Sequence, residues 1–129
     1  MTDLNDVPAH QAKTHEALEN WARWCGSGRG GRDTHPMFRG FVPYLYPEAQ
    51  GAGIPVDTLA ALATQREFTR LPFKHRLAIR WYYCYWWLNL GRVQRELNVS
   101  RADLHKLILD ARQMLCSKMH AQSEPAPAE

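Results

Sequence analysis

Residues 89–115 read NLGRVQRELNVSRADLHKLILDARQML. Asn89 stands where it can cap a short helix, Leu90–Leu97, whose Leu90, Val93 and Leu97 share one face. Asn98 follows where the chain has to turn, and Asn enters the left-handed region more readily than other residues that carry a Cβ. Val99 is an apolar anchor for that turn. Ser100 then caps a second helix, with Asp103 at the capping-box position. Leu104, Leu107, Ile108, Ala111 and Leu115 continue at helical spacing. Two helices joined across a three-residue turn describe a helix-turn-helix.

That pattern assigns roles. The N-terminal part of the second helix of such a pair enters the major groove of DNA. With Leu104 and Leu107 or Ile108 turned inward, Arg101, Ala102, His105 and Lys106 are expected on the groove side. Arg101 or Lys106 suits guanine O6/N7, His105 an acceptor, and Ala102 a thymine methyl. Ser100, Arg92, Arg95 and Arg112 are expected to meet phosphates. Gln94 occupies a position where a small residue suits closely approaching helices, so it predicts either a wider interhelix angle or an outward side chain.

The charge distribution agrees. Residues 74–119 hold nine Lys/Arg against three Asp/Glu, a net +6, whereas residues 1–73 are near neutral at −1 and residues 120–129 carry −2. A basic block of this kind is a footprint for a polyanion, most often nucleic acid.

Upstream, the sequence predicts a small all-α domain of about five helices, residues 13–119, after a polar, flexible segment 1–12 and before a disordered Pro/Ala-rich tail 120–129. The first helix is expected from about Thr14, as its cap, to Cys25, with Leu18, Trp21, Ala22 and Cys25 on one face. A long Gly/Pro-rich arm follows at 26–55, holding seven of the eight glycines and four of the eight prolines. Phe38, Phe41, Tyr44, Leu45 and Tyr46 give it something to bury. Gly26, Gly28 and Gly31 satisfy G-x-G-x-x-G, but a helix precedes them and irregular chain follows, which excludes a dinucleotide fingerprint. A second helix is expected from the Asp57 cap to about Thr69, with Leu59, Leu62, Ala63 and Arg66 on successive turns. The third runs from about Phe73 to Tyr85, with Pro72 at its start. In the third helix only Lys74, His75, Arg76 and Arg80 are polar, so it is expected at the centre of the fold.

Residues 81–87, WYYCYWW, close that helix. They are no membrane anchor, because the longest run free of Asp, Glu, Lys and Arg is Trp81–Gly91, against the roughly 20 residues a span needs. Helical spacing sends most of the rings into the core and leaves Trp86 and Trp87, at the joint before Asn89, as candidates for a partner contact. Arg29, Arg32 and Arg39 of the arm are further candidates. The N-terminus lacks the apolar stretch of a signal peptide, and Cys25, Cys84 and Cys116 are widely spaced, which suits a reducing cytoplasm and gives neither a disulfide framework nor a zinc ribbon.

The stretch NLGRVQRELNVSRADLHKLI resembles the helix-turn-helix of sigma-factor region 4. Together with LENWARW (Leu18–Trp24) and LPFKHR (Leu71–Arg76), it makes residues 16–116 similar to the Q-type antitermination proteins of lambdoid phages. The resemblance implies a host-cytoplasmic protein that binds a DNA element beside a late promoter and loads onto paused bacterial RNA polymerase, which then reads through pauses and terminators. Some members hold zinc through cysteines; the three here form no such set, so no metal or other cofactor is carried over.

Three other readings compete, one of them a scaffold that binds only protein and uses the motif as an interaction helix. A small repressor or activator acting at initiation would need a dimer surface to read two half-sites, hence a homo-oligomer on DNA. An enzyme is disfavoured because no His, Cys and acidic residues fall at catalytic or metal spacing.

Overall fold

The computed structural model describes residues 7–26, 36–38 and 56–123, and among these all regular secondary structure is helical. Five α-helices follow one another: α1 (Ala12–Gly26), α2 (Thr58–Phe68), α3 (Phe73–Cys84), α4 (Leu90–Leu97) and α5 (Arg101–Ser123). Single 3-10 turns stand at Ala9–Gln11 and Pro36–Phe38. The remainder of the expected arm and tail, with Arg29, Arg32 and Arg39, lies outside the described residues.

Helix α1 packs along α2, and α3 along α5, with α1 also touching α3 and α5. Polar groups from one turn of α1 hold α2 near both of its ends. Asn20 on α1 accepts from the Asp57 backbone N–H at 2.8 Å and donates to the Asp57 carbonyl at 2.9 Å. Asp57 in turn caps α2, its Oδ1 accepting the Ala60 N–H at 3.0 Å. Trp21 Nε1 donates to Gln65 Oε1 at 2.7 Å, and its ring lies 4.7 Å from that of Phe68. These links set the rotation of α2: Ala61, Thr64 and Phe68 face the core, while Leu59 and Leu62 are exposed. The expected line of Leu59, Leu62, Ala63 and Arg66 is therefore the outer side of α2. Helical periodicity fixed the spacing of its apolar residues, but the capping and side-chain bonds to α1 chose the face.

Helix α3 is central. Leu77, Ala78, Ile79, Trp81, Tyr83 and Cys84 are all buried, and so is Arg80 at 6% exposure. Beyond it, Tyr85 and Leu88 close a short bend in which the Leu88 N–H bonds to the Tyr85 carbonyl and Trp81 Nε1 donates to the Leu88 carbonyl at 3.1 Å. Tyr85 is fully buried under Phe38, whose ring stacks on it at 4.4 Å. Met37 is likewise fully buried.

The start of the chain differs from expectation. Thr14 is buried inside α1 rather than capping it, because the helix is entered two residues earlier from the Ala9–Gln11 turn. Gln11, only 3% exposed, donates through Nε2 to the Leu109 carbonyl of α5 at 3.2 Å and to Gln113 Oε1 at 3.4 Å. Within the segment that composition alone marks as frayed, Gln11 is thus held to α5 by side-chain amides.

Candidate nucleic-acid interface

The α4–α5 corner is built from its caps. Asn89 Oδ1 accepts the Gly91 N–H at 2.7 Å, and a Cβ on Gly91 would meet that same oxygen at 3.1 Å, so glycine lets the cap close. Val93 and Leu97 are buried, with Leu90 and Val99 packed against the core at partial exposure. Helix α4 ends at Asn98, whose φ of 56° and ψ of 52° make it the single non-glycine residue at positive φ among the described residues. With Asn98 left-handed, the Val99 N–H reaches the Gln94 carbonyl at 3.0 Å and the Asn98 N–H the Arg95 carbonyl at 3.2 Å. The chain then restarts at once: Ser100 Oγ accepts the Asp103 N–H at 3.1 Å and the Ser100 carbonyl accepts the Leu104 N–H at 2.9 Å.

Helix α5 buries Leu104, Ile108, Ala111 and Leu115. Its first two turns leave Arg101, Ala102, Asp103 and Lys106 exposed together. Arg95 is exposed and Arg92 half-buried on α4. None of Arg95, Arg101 and Lys106 makes an ion pair among the described residues. Gln94 is half-buried; with Gly91, Arg95, Asn98, Val99, Ser100 and Asp103 it lines an open polar groove between the two helices. The corner therefore presents three cations and a small residue at α5's entry.

Two expected contacts are corrected. Arg112 cannot meet a phosphate, because it is fully buried between α5 and α3. Its Nε donates to Tyr83 Oη at 2.9 Å, and its guanidinium lies over the Tyr82 ring at 5.0 Å and the Tyr83 ring at 5.7 Å. Its Nη1 and Nη2 meet no hydrogen-bond acceptor. His105 is half-buried, and both ring nitrogens are covered and without a partner, so neither reaches a base edge from this position. Both corrections have one cause. At 100° per residue, positions 105 and 112 fall on the same flank of α5, away from the face shared by Ala102 and Lys106, and that flank is turned into the protein. Sequence periodicity located the inward stripe but gave it too narrow a width.

The buried arginine belongs to a chain of polar groups. Tyr83 Oη lies 2.7 Å from His15 Nδ1, and His15 Nε2 lies 3.4 Å from Glu19 Oε1. Arginine can only donate, so Tyr83 Oη accepts from Arg112, while the direction of its bond with His15 Nδ1 follows the tautomer of the ring. Burial lowers the His15 pKa below its ordinary value, with Glu19 opposing and Arg112 adding to the effect; burial also raises the Tyr83 hydroxyl.

Trp86 and Trp87 flank the entry to α4 with their rings 6.3 Å apart, edge to face, and are 51% and 41% exposed. No helix of the described residues is long and apolar enough to cross a membrane, and among those residues no three His, Cys, Asp or Glu side chains converge as a metal would require. Compared with protein-family models, curated proteins and solved structures, the chain gives no match.

Proposed function

We propose that this chain binds double-stranded DNA through α4 and α5 acting as a helix-turn-helix, and that it does so as a transcription antiterminator that loads onto bacterial RNA polymerase in the host cytoplasm. The observation that carries the DNA reading is the corner itself. A left-handed Asn98 and a Ser100 cap aim the first turns of α5 outward, with Arg101, Ala102 and Lys106 exposed and Arg95 beside them. Arg101 and Lys106 read guanine edges and Ala102 a thymine methyl; Ser100, Arg92 and Arg95 hold phosphates. Trp86 and Trp87, exposed at the joint before α4, are the residues offered to polymerase. The readthrough part of the proposal is supported by the resemblance of residues 16–116 to phage antitermination proteins.

The test is transcription in vitro with purified polymerase on a template carrying a cognate late promoter and a downstream terminator. Increased terminator bypass supports antitermination. A change in initiation with bypass unaltered would replace it with the repressor or activator reading. Absence of salt-dependent DNA binding would remove both.

A further inference from the structure

Asp103 stands in the first turn of α5, at the position where a capping box would use its carboxylate. The structure makes only half of that box. Ser100 Oγ accepts the Asp103 N–H at 3.1 Å, but the Asp103 carboxylate does not return to the Ser100 N–H. Among the described residues this carboxylate makes neither a hydrogen bond nor an ion pair, although Arg95 lines the same groove between α4 and α5 and Lys106 follows one turn on. Asp103 is exposed, as are Ala102 and Lys106, while Leu104 and Ile108 are buried. At 100° per residue the three exposed residues span about 100° of the helix surface, on the side opposite Leu104 and Ile108.

An acid on this face opposes the phosphates that the basic block of residues 74–119 attracts. The positive end of the α5 dipole favours an anion in this turn, but a dipole has no preference among bases. A carboxylate does. Ionised, it can only accept. On the major-groove edge guanine turns N7 and O6 toward it and thymine O4, all of them acceptors. Adenine sets its N6 amino group beside the N7 acceptor, and cytosine presents the N4 amino group alone.

We propose that Asp103 is a specificity-determining residue of the DNA surface, its carboxylate accepting a hydrogen bond from the N4 amino group of a cytosine in the major groove. The inference rests on the DNA reading of α4 and α5. It adds to that reading a side chain that selects a base while weakening attachment to the backbone.

The test is selection from a pool of random-sequence duplexes by the full chain and by its Asp103→Asn and Asp103→Ala variants. The parent is expected to enrich duplexes with a C·G pair at one position, favoured about tenfold over the other pairs. Asp103→Asn, whose amide matches adenine N6 and N7, moves that position to A·T. Asp103→Ala loses the preference there and nowhere else, and it binds unrelated duplex more tightly, because a charge repelling phosphates is gone. A role confined to the helix dipole would lower the unfolding temperature of both variants and leave the enriched sequence as it was. That result, one sequence from all three proteins, overturns the inference and leaves DNA binding standing. Enrichment by none of the three removes the DNA reading and the inference with it. Asn matches Asp in size, so Asp103→Asn still decides the question where Asp103→Ala fails to fold.

Discussion

Tyr83 and Arg112 meet in the protein interior through a 2.9 Å bond from the arginine Nε to the phenol oxygen, and no carboxylate forms an ion pair with that guanidinium among the described residues. A positive charge of this kind is compensated by aromatic faces and one hydroxyl rather than by an anion. Desolvation of a buried ion often exceeds what its partners return, so a hydrophobic side chain of similar length is tolerated there. Arg112→Met is expected to hold stability within about 1 kcal/mol of the parent, or to raise it. Tyr83→Phe, which strips the acceptor and leaves the charge, should cost about 1–3 kcal/mol. Urea unfolding of the two variants decides; a loss of several kcal/mol for Arg112→Met alone would show that the arginine holds a network the methionine cannot replace.

The same burial separates Arg112 from DNA. Arg112→Met should leave the salt dependence of DNA binding unchanged, whereas Arg95→Ala should flatten the slope of log affinity against log salt by about one unit. Filter binding over a salt series compares them directly. An Arg112→Met protein that remains folded but loses slope contradicts the placement of that side chain.

Base reading predicts a different signature. Arg101→Ala and Lys106→Ala should each cost about 1–3 kcal/mol on the cognate site and little on unrelated DNA. His105→Ala, by contrast, should leave the preference between sites intact, since both ring nitrogens are covered. Competition binding with cognate and scrambled duplexes measures all three, and retained discrimination in both Arg101→Ala and Lys106→Ala would remove α5 from the groove.

Acid should weaken the fold through His15. In the unfolded chain this histidine titrates near its ordinary 6.5, and in the folded chain burial holds it lower. Between the two values the unfolded chain binds the extra proton. The contribution is thus fully present above 6.5 and is lost as the pH falls through the folded value. His15→Gln can still hydrogen-bond with Tyr83 but does not titrate. Denaturation midpoints of the parent and of this variant, taken from about pH 7.5 to about pH 5, should show the parent losing more; a variant that loses as much would clear His15 of the effect.

The turn after α4 makes a backbone prediction. Asn98→Gly should be neutral or slightly stabilising, and Asn98→Val should cost about 1–2 kcal/mol, because a branched side chain resists the left-handed conformation. Thermal unfolding of both variants is sufficient.

Local rules made some of this legible and tertiary packing made the rest. Asn89, Asn98 and Ser100 act on groups within a few residues of themselves, so α4, its turn and the start of α5 fall where the sequence places them. Asp57 does the same for α2. The face of α2, the burial of His105 and Arg112, and the anchoring of Gln11 depend on α1, α3 and α5 lying beside them. None of these leaves a mark in periodicity, because a polar residue can be satisfied by a tyrosine hydroxyl or a carbonyl far along the chain. Arg80 is legible in the sequence only as one of the few polar positions of a central helix; the Trp21 and Phe68 rings and the Cys25 sulfur that it meets come from α1 and α2.

The five tryptophans fall into two optical populations. Trp21, Trp24 and Trp81 are no more than 7% exposed, while Trp86 and Trp87 are 51% and 41% exposed at the entry to α4. An aqueous quencher such as iodide therefore dims only the second population, and whatever covers that joint restores it. The protein carries its own unlabelled reporter for occupancy, placed at the surface where a partner is proposed to bind.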